Sequence, residues 1–303
     1  MGSNERKNQI VKVTILDGGM GQELLKRTED TPTSLWATQL MIDHPDIVGA
    51  VHDDYFSSGA DICTTNTYAL HHDRLLSCGE NYQFEHLHRL ACEIALNSRN
   101  KSRKGLLAGS LGPLGWSYNT EFLPPLEEAA KLYAEIVEIH SNYVDMFIIE
   151  TVSSLDQGRG ALTGVKKTDK PIWIAFSVDD FDGSKLRSGE PLSSIKTLVN
   201  TFKPAAVLLN CSVPESINVG LPFLQDLDIP FGAYANGFTH ISKEYLKKGS
   251  TVNALSSRTD LSPDKYADFA SGWIEMGATI IGGCCEIGPS HINELAKRFK
   301  EHD

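Results

Sequence analysis

The stretch ATIIGGCC (residues 278–285) is a short apolar run that opens into two glycines and two adjacent cysteines. Upstream, AVLLNC (residues 206–211) has the same pattern: four apolar residues are followed by Asn210 and Cys211. Runs that are apolar throughout, rather than alternating, are typical of strands buried on both faces of a parallel sheet. Both stretches therefore predict a buried strand with cysteine at its carboxyl end.

Other segments of the chain have the same strand-like character. The full set of candidates is Val11–Leu16, Ala60–Thr65, Gly105–Gly109, Asp145–Glu150, Pro171–Ser177, Ala205–Asn210, Pro230–Tyr234 and Ala278–Ile281. Between them, apolar residues at helical spacing predict helices, most clearly in Pro45–Gly59, Leu126–Tyr143 and Pro263–Met276. Strand–helix repeats of this number in 303 residues predict an α/β fold, a single-domain (β/α)8 TIM barrel over residues 1–303 with a core at about 11–300.

Composition limits the classes of function. The chain is 41% hydrophobic, which is enough for one large core, and its formal net charge of -11 argues against nucleic acid as a partner. It has no run of about 18 apolar residues, and its polar start lacks the apolar stretch of a secretory signal. We therefore expect a cytoplasmic protein without a membrane partner, as a monomer or small homo-oligomer.

Polar side chains recur at the carboxyl ends of the candidate strands. They are Asp17, Thr65, Asn66, Ser110, Glu150, Ser177, Asn210, Cys211, Asn236, Cys284 and Cys285. Any single one is also explained as a turn or helix-cap residue. In a barrel, however, these ends meet on the face that carries active sites, so the recurrence predicts a site there.

Three of the cysteines favour a zinc site. Cys211, Cys284 and Cys285 can supply three soft ligands and leave one position open, as in catalytic rather than structural zinc sites. Three thiolates and Zn²⁺ carry a net charge of about -1, a soft site that favours a further sulfur. A substrate thiol bound there would be deprotonated and could attack carbon. For Cys63, Cys78 and Cys92, a role as small buried apolar residues is the simpler interpretation.

With these motifs in view, the chain resembles the homocysteine S-methyltransferase family. The resemblance runs from about Val13 to Ala296 and is carried by four motifs: Asp17-Gly18-Gly19, Asn210-Cys211, Gly282-Gly283-Cys284-Cys285 and Pro289-Ser290-His291-Ile292. It implies a (β/α)8 barrel that transfers a methyl group from an onium donor to homocysteine. It also implies that Cys211, Cys284 and Cys285 hold the zinc.

The resemblance extends to the amino-acid substrate. Asp17 matches the acidic residue at the end of the first strand, and the backbone N–H groups of Gly18 and Gly19 are expected to meet a carboxylate. Glu150 matches the carboxylate that binds the ammonium group of the amino acid. A buried carboxylate needs a cation, so the alternative for Glu150 is an internal ion pair with a lysine or arginine.

The donor pocket is predicted from four residues, Trp36, Asn66, Tyr68 and Asn236. Trp36 and Tyr68 match aromatic positions that face the donor in betaine-using relatives, and aromatic faces suit an onium cation; packing within the barrel is the alternative for both. Asn236 lies in a stretch resembling the family's Tyr-Pro-Asn-x-Gly, with Ala235 in place of proline. Thr151 follows Glu150, which together with the chain length favours the S-methylmethionine-using branch.

Several alternatives stay open at this stage. S-methylmethionine or S-adenosylmethionine is the favoured donor, with betaine or another onium compound as the alternative, and selenocysteine or selenohomocysteine is an alternative acceptor. A zinc-storage or zinc-sensing barrel would keep the cysteines without catalysis. Of the remaining charged residues, Asp179–Asp182 and Lys247–Lys248 are interpreted as solvated groups, and Arg187 and Arg258 as candidates for a donor carboxylate that the sequence does not position.

Overall fold

The computed structural model describes residues 12–28, 35, 37–77, 79, 83–121, 123–247 and 250–300. Its eight strands are β1 (Thr14–Ile15), β2 (Ile62–Thr64), β3 (Leu106–Leu111), β4 (Met146–Val152), β5 (Ile172–Phe176), β6 (Ala206–Asn210), β7 (Phe231–Tyr234) and β8 (Ile280–Ile281). All pair in parallel in the order β1-β8-β7-β6-β5-β4-β3-β2. A parallel bridge between Leu16 and Ile62 brings β1 and β2 together. The predicted (β/α)8 barrel is confirmed.

Helices cover the outside of the barrel. They are α1 (Met20–Arg27), α2 (Ala37–Asp43), α3 (Pro45–Ser57), α4 (His72–Ser77), α5 (Phe84–Ser102), α6 (Leu126–His140), α7 (Leu155–Val165), α8 (Ile195–Phe202), α9 (Pro214–Gly220), α10 (Pro263–Glu275) and α11 (Pro289–Phe299). Short 3-10 turns span Leu192–Ser194, Leu221–Leu227 and Val252–Ala254. Among the described residues, none of these helices combines the length and apolar character that crossing a membrane requires.

The core has two layers because the strands are buried on both faces. Side chains such as Ile148 and Leu208 fill the inside of the barrel, with Tyr234 at its carboxyl end. The next residues along the same strands, including Ile149 and Leu209, pack outward against the helices. This alternation explains why the strands read as continuous apolar runs, since both sides of the sheet face protein.

The predicted elements are confirmed in position; six strands are shorter than predicted, whereas β3 and β4 extend two residues past their predicted carboxyl ends. The segment predicted as Ala278–Ile281 forms a ladder only at Ile280–Ile281, and the first strand reduces to Thr14–Ile15, with Val11 outside the described residues. The three predicted helices begin at the expected prolines or leucine. Two sequence signals fix the start of α10: the Ser262 side chain accepts a hydrogen bond from Lys265 N–H, and Pro263 occupies the first turn.

Long loops follow three of the strands at the carboxyl-terminal face. The described residues of these loops are 112–121 and 123–125 after β3, 177–191 after β5, and 235–247 and 250–262 after β7. Shorter connections carry the glycines and cysteines that follow β1, β6 and β8. The face that is expected to hold the active site is therefore bordered by both rigid strand ends and long loops.

Candidate metal and substrate site

The three predicted cysteines meet at the carboxyl-terminal face. Cys211 Sγ lies 2.7 Å from Cys284 Sγ and 3.9 Å from Cys285 Sγ, and the three sulfur atoms all lie within 4.8 Å of one another. Cys211 is buried, while Cys284 and Cys285 are partly open. In the described part of the chain, this is the one group of three or more His, Cys, Asp or Glu side chains close enough to hold a metal ion.

The backbone around Cys211 is shaped to bring its thiol to the other two. Cys211 adopts a left-handed conformation (φ 53°), which is uncommon for a residue with a side chain. Its N–H donates to Tyr234 O at 3.1 Å, so the turn begins directly at the end of the β6–β7 ladder. From the other side, Cys284 N–H donates to Ala235 O and Gly237 N–H donates to Cys285 O. The loops after β6, β7 and β8 are thus tied together around the thiols.

Glycines allow the loop after β1 to approach the cysteine loop. A Cβ atom on Gly18 would lie 2.0 Å from Ile287 O, and one on Gly19 would lie 2.7 Å from Cys284 O. The N–H of Gly19 donates to Ile287 O, whereas no described residue accepts from the N–H of Gly18. Of the two predicted carboxylate contacts, Gly18 is therefore the one with an available N–H, and Gly19 is already engaged in packing the loops.

Asp17 and Glu150 both border the cavity beside the cysteines. Asp17 Oδ2 accepts from Thr64 N–H at 2.7 Å and from the Thr64 hydroxyl at 3.1 Å. Glu150 accepts from the Ser110 hydroxyl at 2.5 Å and from the Tyr234 hydroxyl at 3.1 Å. Neutral donors therefore orient both carboxyl groups. In the residues described, neither has a lysine or arginine within ion-pair distance, in contrast to the internal ion pair considered for Glu150.

Loss of solvent disfavours the ionised form of both carboxyl groups. It raises the pKa of Asp17 to about 8, and the nearby Glu150 carboxylate adds to that rise while hydrogen bonds from Thr64 oppose it. Burial likewise raises the pKa of Glu150 to about 7, against the hydrogen bonds from Ser110 and Tyr234. A buried and a half-buried carboxyl group that share a cavity favour a cationic ligand, because a cation compensates for both desolvation and mutual repulsion.

The cavity has a volume of about 100 Å³ and lies between the strand ends and the loops. Four tyrosines line it: Tyr68 from the loop after β2, Tyr118 from the loop after β3, Tyr234 from the end of β7 and Tyr245 from the loop after β7. The Tyr118 hydroxyl lies 3.1 Å from Cys211 Sγ, and the Tyr118 and Tyr245 rings are 6.0 Å apart. Burial raises the pKa of Tyr118 and Tyr68 well above 10, so both phenols keep their protons.

Of the four residues predicted for the donor pocket, Asn66 and Tyr68 line the cavity and Asn236 does not. Asn66 borders the cavity and donates through its side-chain amide to Ala37 O. The Tyr68 hydroxyl pairs with Ser117 at 2.8 Å. Asn236 is fully buried behind the metal ligands, where its side-chain amide donates to Cys211 O at 2.9 Å. Trp36 lies outside the described residues.

Loop residues supply parts of the site that sequence reasoning missed. The left-handed Tyr118 lies in a segment, GWSYN (residues 115–119), whose pattern gives no sign that its phenol reaches a metal ligand. Asp180, which we interpreted as a solvated carboxylate, is instead buried in an ion pair with Arg187. That interpretation is wrong because Asp180 accepts hydrogen bonds from two other loops as well. Arg258 pairs with Glu215 and Asp260.

Three thiols form a donor set that suits zinc. Sulfur atoms bound to one tetrahedral zinc at about 2.3 Å are separated by about 3.8 Å. The Cys211–Cys285 distance of 3.9 Å matches that spacing, and the Cys211–Cys284 contact of 2.7 Å would open by about 1 Å around an ion. Hydrogen bonds from Cys284 and Cys285 also hold the pKa of Cys211 well below its usual range, which favours the thiolate.

Cys63 and Cys92 have no part in this cluster. Both are free and fully buried, Cys63 in β2 and Cys92 in α5. Burial raises the pKa of the Cys92 thiol to about 12 and that of Cys63 well above 9, so both remain neutral thiols. Cys78 lies outside the described residues.

Comparison with known proteins gives a match over nearly the whole chain. The model of a family described as homocysteine S-methyltransferase matches residues 14–299. The homocysteine S-methyltransferase YbgG of Bacillus subtilis is 26% identical over 93% of each chain. The selenocysteine methyltransferase of Astragalus bisulcatus is 25% identical over 96% of this chain and 93% of its own. In fold, the metallated form of the homocysteine methyltransferase MmuM from Escherichia coli superposes with a TM-score of 0.78 over 95% of this chain and 96% of its own, at 24% identity.

Proposed function

Because this chain belongs to the homocysteine S-methyltransferase family and is a methyltransferase, we propose that it methylates the thiol of homocysteine at a zinc ion held by Cys211, Cys284 and Cys285. The proposed donor is a sulfonium compound, S-methylmethionine or S-adenosylmethionine, and the product is methionine. The single observation that carries the proposal is the convergence of three thiols on a cavity that also contains the carboxyl groups of Asp17 and Glu150, neither of which pairs with a described lysine or arginine. That combination suits a ligand with both a sulfur atom and an ammonium group.

The amino-acid end of the acceptor would bind at the first and fourth strands. The ammonium group of homocysteine fits between Asp17 and Glu150, where it would lower the pKa of both carboxyl groups by supplying the missing opposite charge. Its carboxylate fits at the amino terminus of α1, where Gly18, Met20 and Gly21 border the cavity. Free N–H groups and the helix dipole both favour an anion there.

The sulfur end of the acceptor would then reach the cysteines. Zinc bound by the three thiolates would act as a Lewis acid that lowers the pKa of the homocysteine thiol from its ordinary value of about 8.5. Cys211 approaches from the end of β6, and Cys284 and Cys285 approach from the end of β8. The neutral Tyr118 hydroxyl can donate to Cys211 Sγ, which would stabilise that thiolate.

The donor would occupy the side of the cavity formed by the loops. The rings of Tyr68, Tyr118 and Tyr245 offer π faces to a sulfonium cation, each at about 0.5–2 kcal/mol. Phe238 and Leu255 supply apolar wall nearby and would exclude water. A dry pocket favours reaction between a thiolate and a sulfonium ion, because both charges disappear as the products form.

Methyl transfer itself needs no general base once the acceptor is a thiolate. The homocysteine sulfur donates an electron pair to the methyl carbon and forms the new S–C bond. The S–C bond of the sulfonium donor breaks, and its electron pair stays on the departing neutral thioether. Alignment of the three atoms at a sulfur–carbon separation of about 3–3.5 Å is the main task of the pocket.

Two alternatives follow from specific observations. The relative from Astragalus bisulcatus is a selenocysteine methyltransferase, so a selenol is a second candidate acceptor at the same soft site. The tyrosine-lined wall also suits the trimethylammonium group of betaine as a donor. A reducing cytoplasm, where these thiols stay reduced, is the compartment that we propose.

The proposal is tested by a donor panel with purified, zinc-loaded protein. Homocysteine is incubated with S-methylmethionine, S-adenosylmethionine or betaine, and methionine is measured by mass spectrometry. We expect the fastest turnover with a sulfonium donor. A clear preference for betaine would overturn the donor assignment. Zinc binding without calorimetric binding of homocysteine would instead indicate a storage or sensing barrel.

A further inference from the structure

A buried ion pair lies directly behind the cysteine cluster. Arg187 and Asp180 come from the loop after β5, and their side chains are only 8% and 3% exposed. The guanidinium group binds both carboxylate oxygens, with Nη2 2.9 Å from Oδ1 and Nη1 3.0 Å from Oδ2. Neither residue borders the cavity, so the pair acts on the site through its neighbours and not through a substrate.

The remaining donors of Arg187 bind the carbonyl of Cys211 and the hydroxyl of Ser177. Arg187 Nη2 also donates to Cys211 O at 3.1 Å, and Nε donates to the Ser177 hydroxyl at 2.7 Å. The same Cys211 carbonyl accepts from the Asn236 side chain at 2.9 Å. The Ser177 hydroxyl donates to it as well, at 3.4 Å, so three side-chain donors fix the peptide that follows a residue in the left-handed conformation, at φ 53°.

Fixing this peptide matters because its conformation is costly. A left-handed residue with a side chain is strained and persists only where its surroundings enforce it. If Cys211 relaxed to an extended or right-handed conformation, its Cα–Cβ bond would turn and its sulfur would leave the other two. The hydrogen bonds to the Cys211 carbonyl are therefore part of what keeps the three sulfur atoms together.

Arg187 also reaches the thiol of Cys211 through Tyr118. Its guanidinium carbon lies 4.5 Å from the centre of the Tyr118 ring, and the Tyr118 hydroxyl lies 3.1 Å from Cys211 Sγ. Tyr118 is itself left-handed, at φ 64°, so its placement also depends on neighbours. One guanidinium group thus supports the backbone of Cys211 directly and its sulfur through a stacked ring.

Asp180 joins this arrangement to the adjoining loops. Its Oδ1 accepts from Val213 N–H at 3.2 Å, two residues after Cys211. Its Oδ2 accepts from Ile241 N–H at 2.7 Å, in the loop after β7 that also carries Tyr245. The carboxylate is saturated by hydrogen bonds, which explains how the pair is accommodated away from water.

We propose that Arg187, held by Asp180, is a positioning residue that keeps Cys211 in its left-handed, metal-binding conformation. This inference rests on the proposed zinc site and goes beyond it, because it assigns the geometry of one ligand to a residue that touches neither metal nor substrate. It also gives Arg187 a different role from the donor-carboxylate contact considered from the sequence.

The test measures zinc affinity by chelator competition in the wild-type protein and in Arg187→Met and Arg187→Lys variants. Methionine has similar length but no charge or hydrogen bonds, and we expect zinc to bind about 10–100-fold more weakly, as for other residues that orient metal ligands. Lysine preserves a charge opposite Asp180, so folding is protected, but it cannot bind Asp180, Cys211 O and Ser177 together. We expect it to lose affinity as well, by a smaller factor.

The matched control is Arg258→Met, which removes an ion-paired arginine from the same end of the barrel without a side-chain contact to a cysteine. Its zinc affinity should stay within about twofold of the wild type, because no metal ligand loses a partner. Wild-type zinc affinity in a folded Arg187→Met or Arg187→Lys protein would overturn the inference. A wild-type protein that binds no zinc would contradict the proposed function instead.

A metal-free measurement separates these two outcomes. Diamide oxidises two thiols to a disulfide while it is reduced to the hydrazine, and the Cys211–Cys284 product is quantified by mass spectrometry. We expect at least about fivefold slower coupling in Arg187→Met, because coupling requires the two sulfurs to meet. An unchanged rate would show that Cys211 keeps its position without Arg187.

Discussion

The two sides of the cavity are built from different kinds of structure. On one side, Asp17, Glu150 and Cys211 lie at or next to strand ends, and Cys284 and Cys285 follow β8 after two glycines; hydrogen bonds to strands and to short connections hold them. On the other, Ser117, Tyr118 and Tyr245 come from long loops, and their side chains contact Tyr68, Cys211 and one another. Side chains at strand ends are positioned by the whole sheet, whereas loop side chains depend on local contacts.

This difference suggests a division of tasks between the two sides. Sulfur activation and amino-acid binding fall to the rigid side, where errors of position are most costly. Selection of the methyl donor falls to the loop side, where a few substitutions can reshape the wall. The following predictions test that division, beginning with the largest expected effect.

Replacement of Cys284 by alanine should abolish function on the rigid side. Two thiols cannot hold zinc as three do, so we expect loss of bound zinc and a fall in methyl transfer of at least about 10³-fold. Metal content and methionine formation are the measurements. Cys92→Ala is the matched control, since Cys92 is a free buried thiol in α5 and should affect stability only. An active, metal-free Cys284→Ala protein would contradict the assignment of the ligands.

Replacement of Glu150 by glutamine should weaken acceptor binding without changing donor binding. Glutamine keeps the shape but loses the charge opposite the ammonium group, so KM for homocysteine should rise about 10–100-fold. The KM for the donor should change by less than about twofold if the two sides are independent. Glu215→Gln, which removes a carboxylate at the rim, is the control and should leave both constants unchanged. Equal increases in the KM values for homocysteine and for the donor would contradict the proposed independence of the two sides of the cavity.

The pH dependence of methionine binding tests whether Glu150 binds the ammonium group of the amino acid. Methionine carries the ammonium and carboxylate of homocysteine but no thiol, so its binding reports on the carboxyl groups alone. With the pKa of Glu150 raised to about 7, a proton must leave that group before an ammonium can bind below that pH. From Glu150 alone, the Kd should therefore rise about fivefold between pH 7 and pH 6. Calorimetry that finds the same Kd at both values would contradict the assignment, and Glu150→Gln should reduce the slope.

The smallest effect is expected on the loop side. Removal of one aromatic face by Tyr245→Leu should raise KM for a sulfonium donor by about 3–10-fold, since a single cation–π contact contributes about 0.5–2 kcal/mol. The KM for homocysteine and the zinc content should be unchanged. Steady-state kinetics with each substrate varied in turn measures the effect. A larger change for homocysteine than for the donor would place Tyr245 on the acceptor side.

The sequence was sufficient for the features that the barrel itself imposes. Continuous apolar runs identify the strands, and polar residues at their ends identify Asp17, Glu150 and the three cysteines, because the closed sheet brings those ends to one face. Most strand lengths were overestimated, since residues such as Ala278 and Thr279 precede the β8 ladder, but β3 and β4 are longer than predicted. Apolar character extends beyond the residues that pair.

Loop conformation could not be predicted in the same way. Nothing in the local pattern shows that Tyr118 turns left-handed or that Asp180 is buried, because each depends on partners far along the chain. Asp180 illustrates the difficulty: a carboxylate in a run of acidic residues resembles a solvated loop, yet its partners are Arg187, Val213 and Ile241. Charge pattern alone does not separate these cases.

The most direct test of the central claim is the X-ray absorption spectrum of the zinc-loaded protein with and without homocysteine. Without the amino acid, we predict three sulfur ligands at about 2.3 Å and one lighter ligand. On addition of homocysteine, the lighter ligand should be replaced by a fourth sulfur at about the same distance. A zinc shell that contains fewer than three sulfurs, or one that homocysteine leaves unchanged, would contradict thiol activation at Cys211, Cys284 and Cys285.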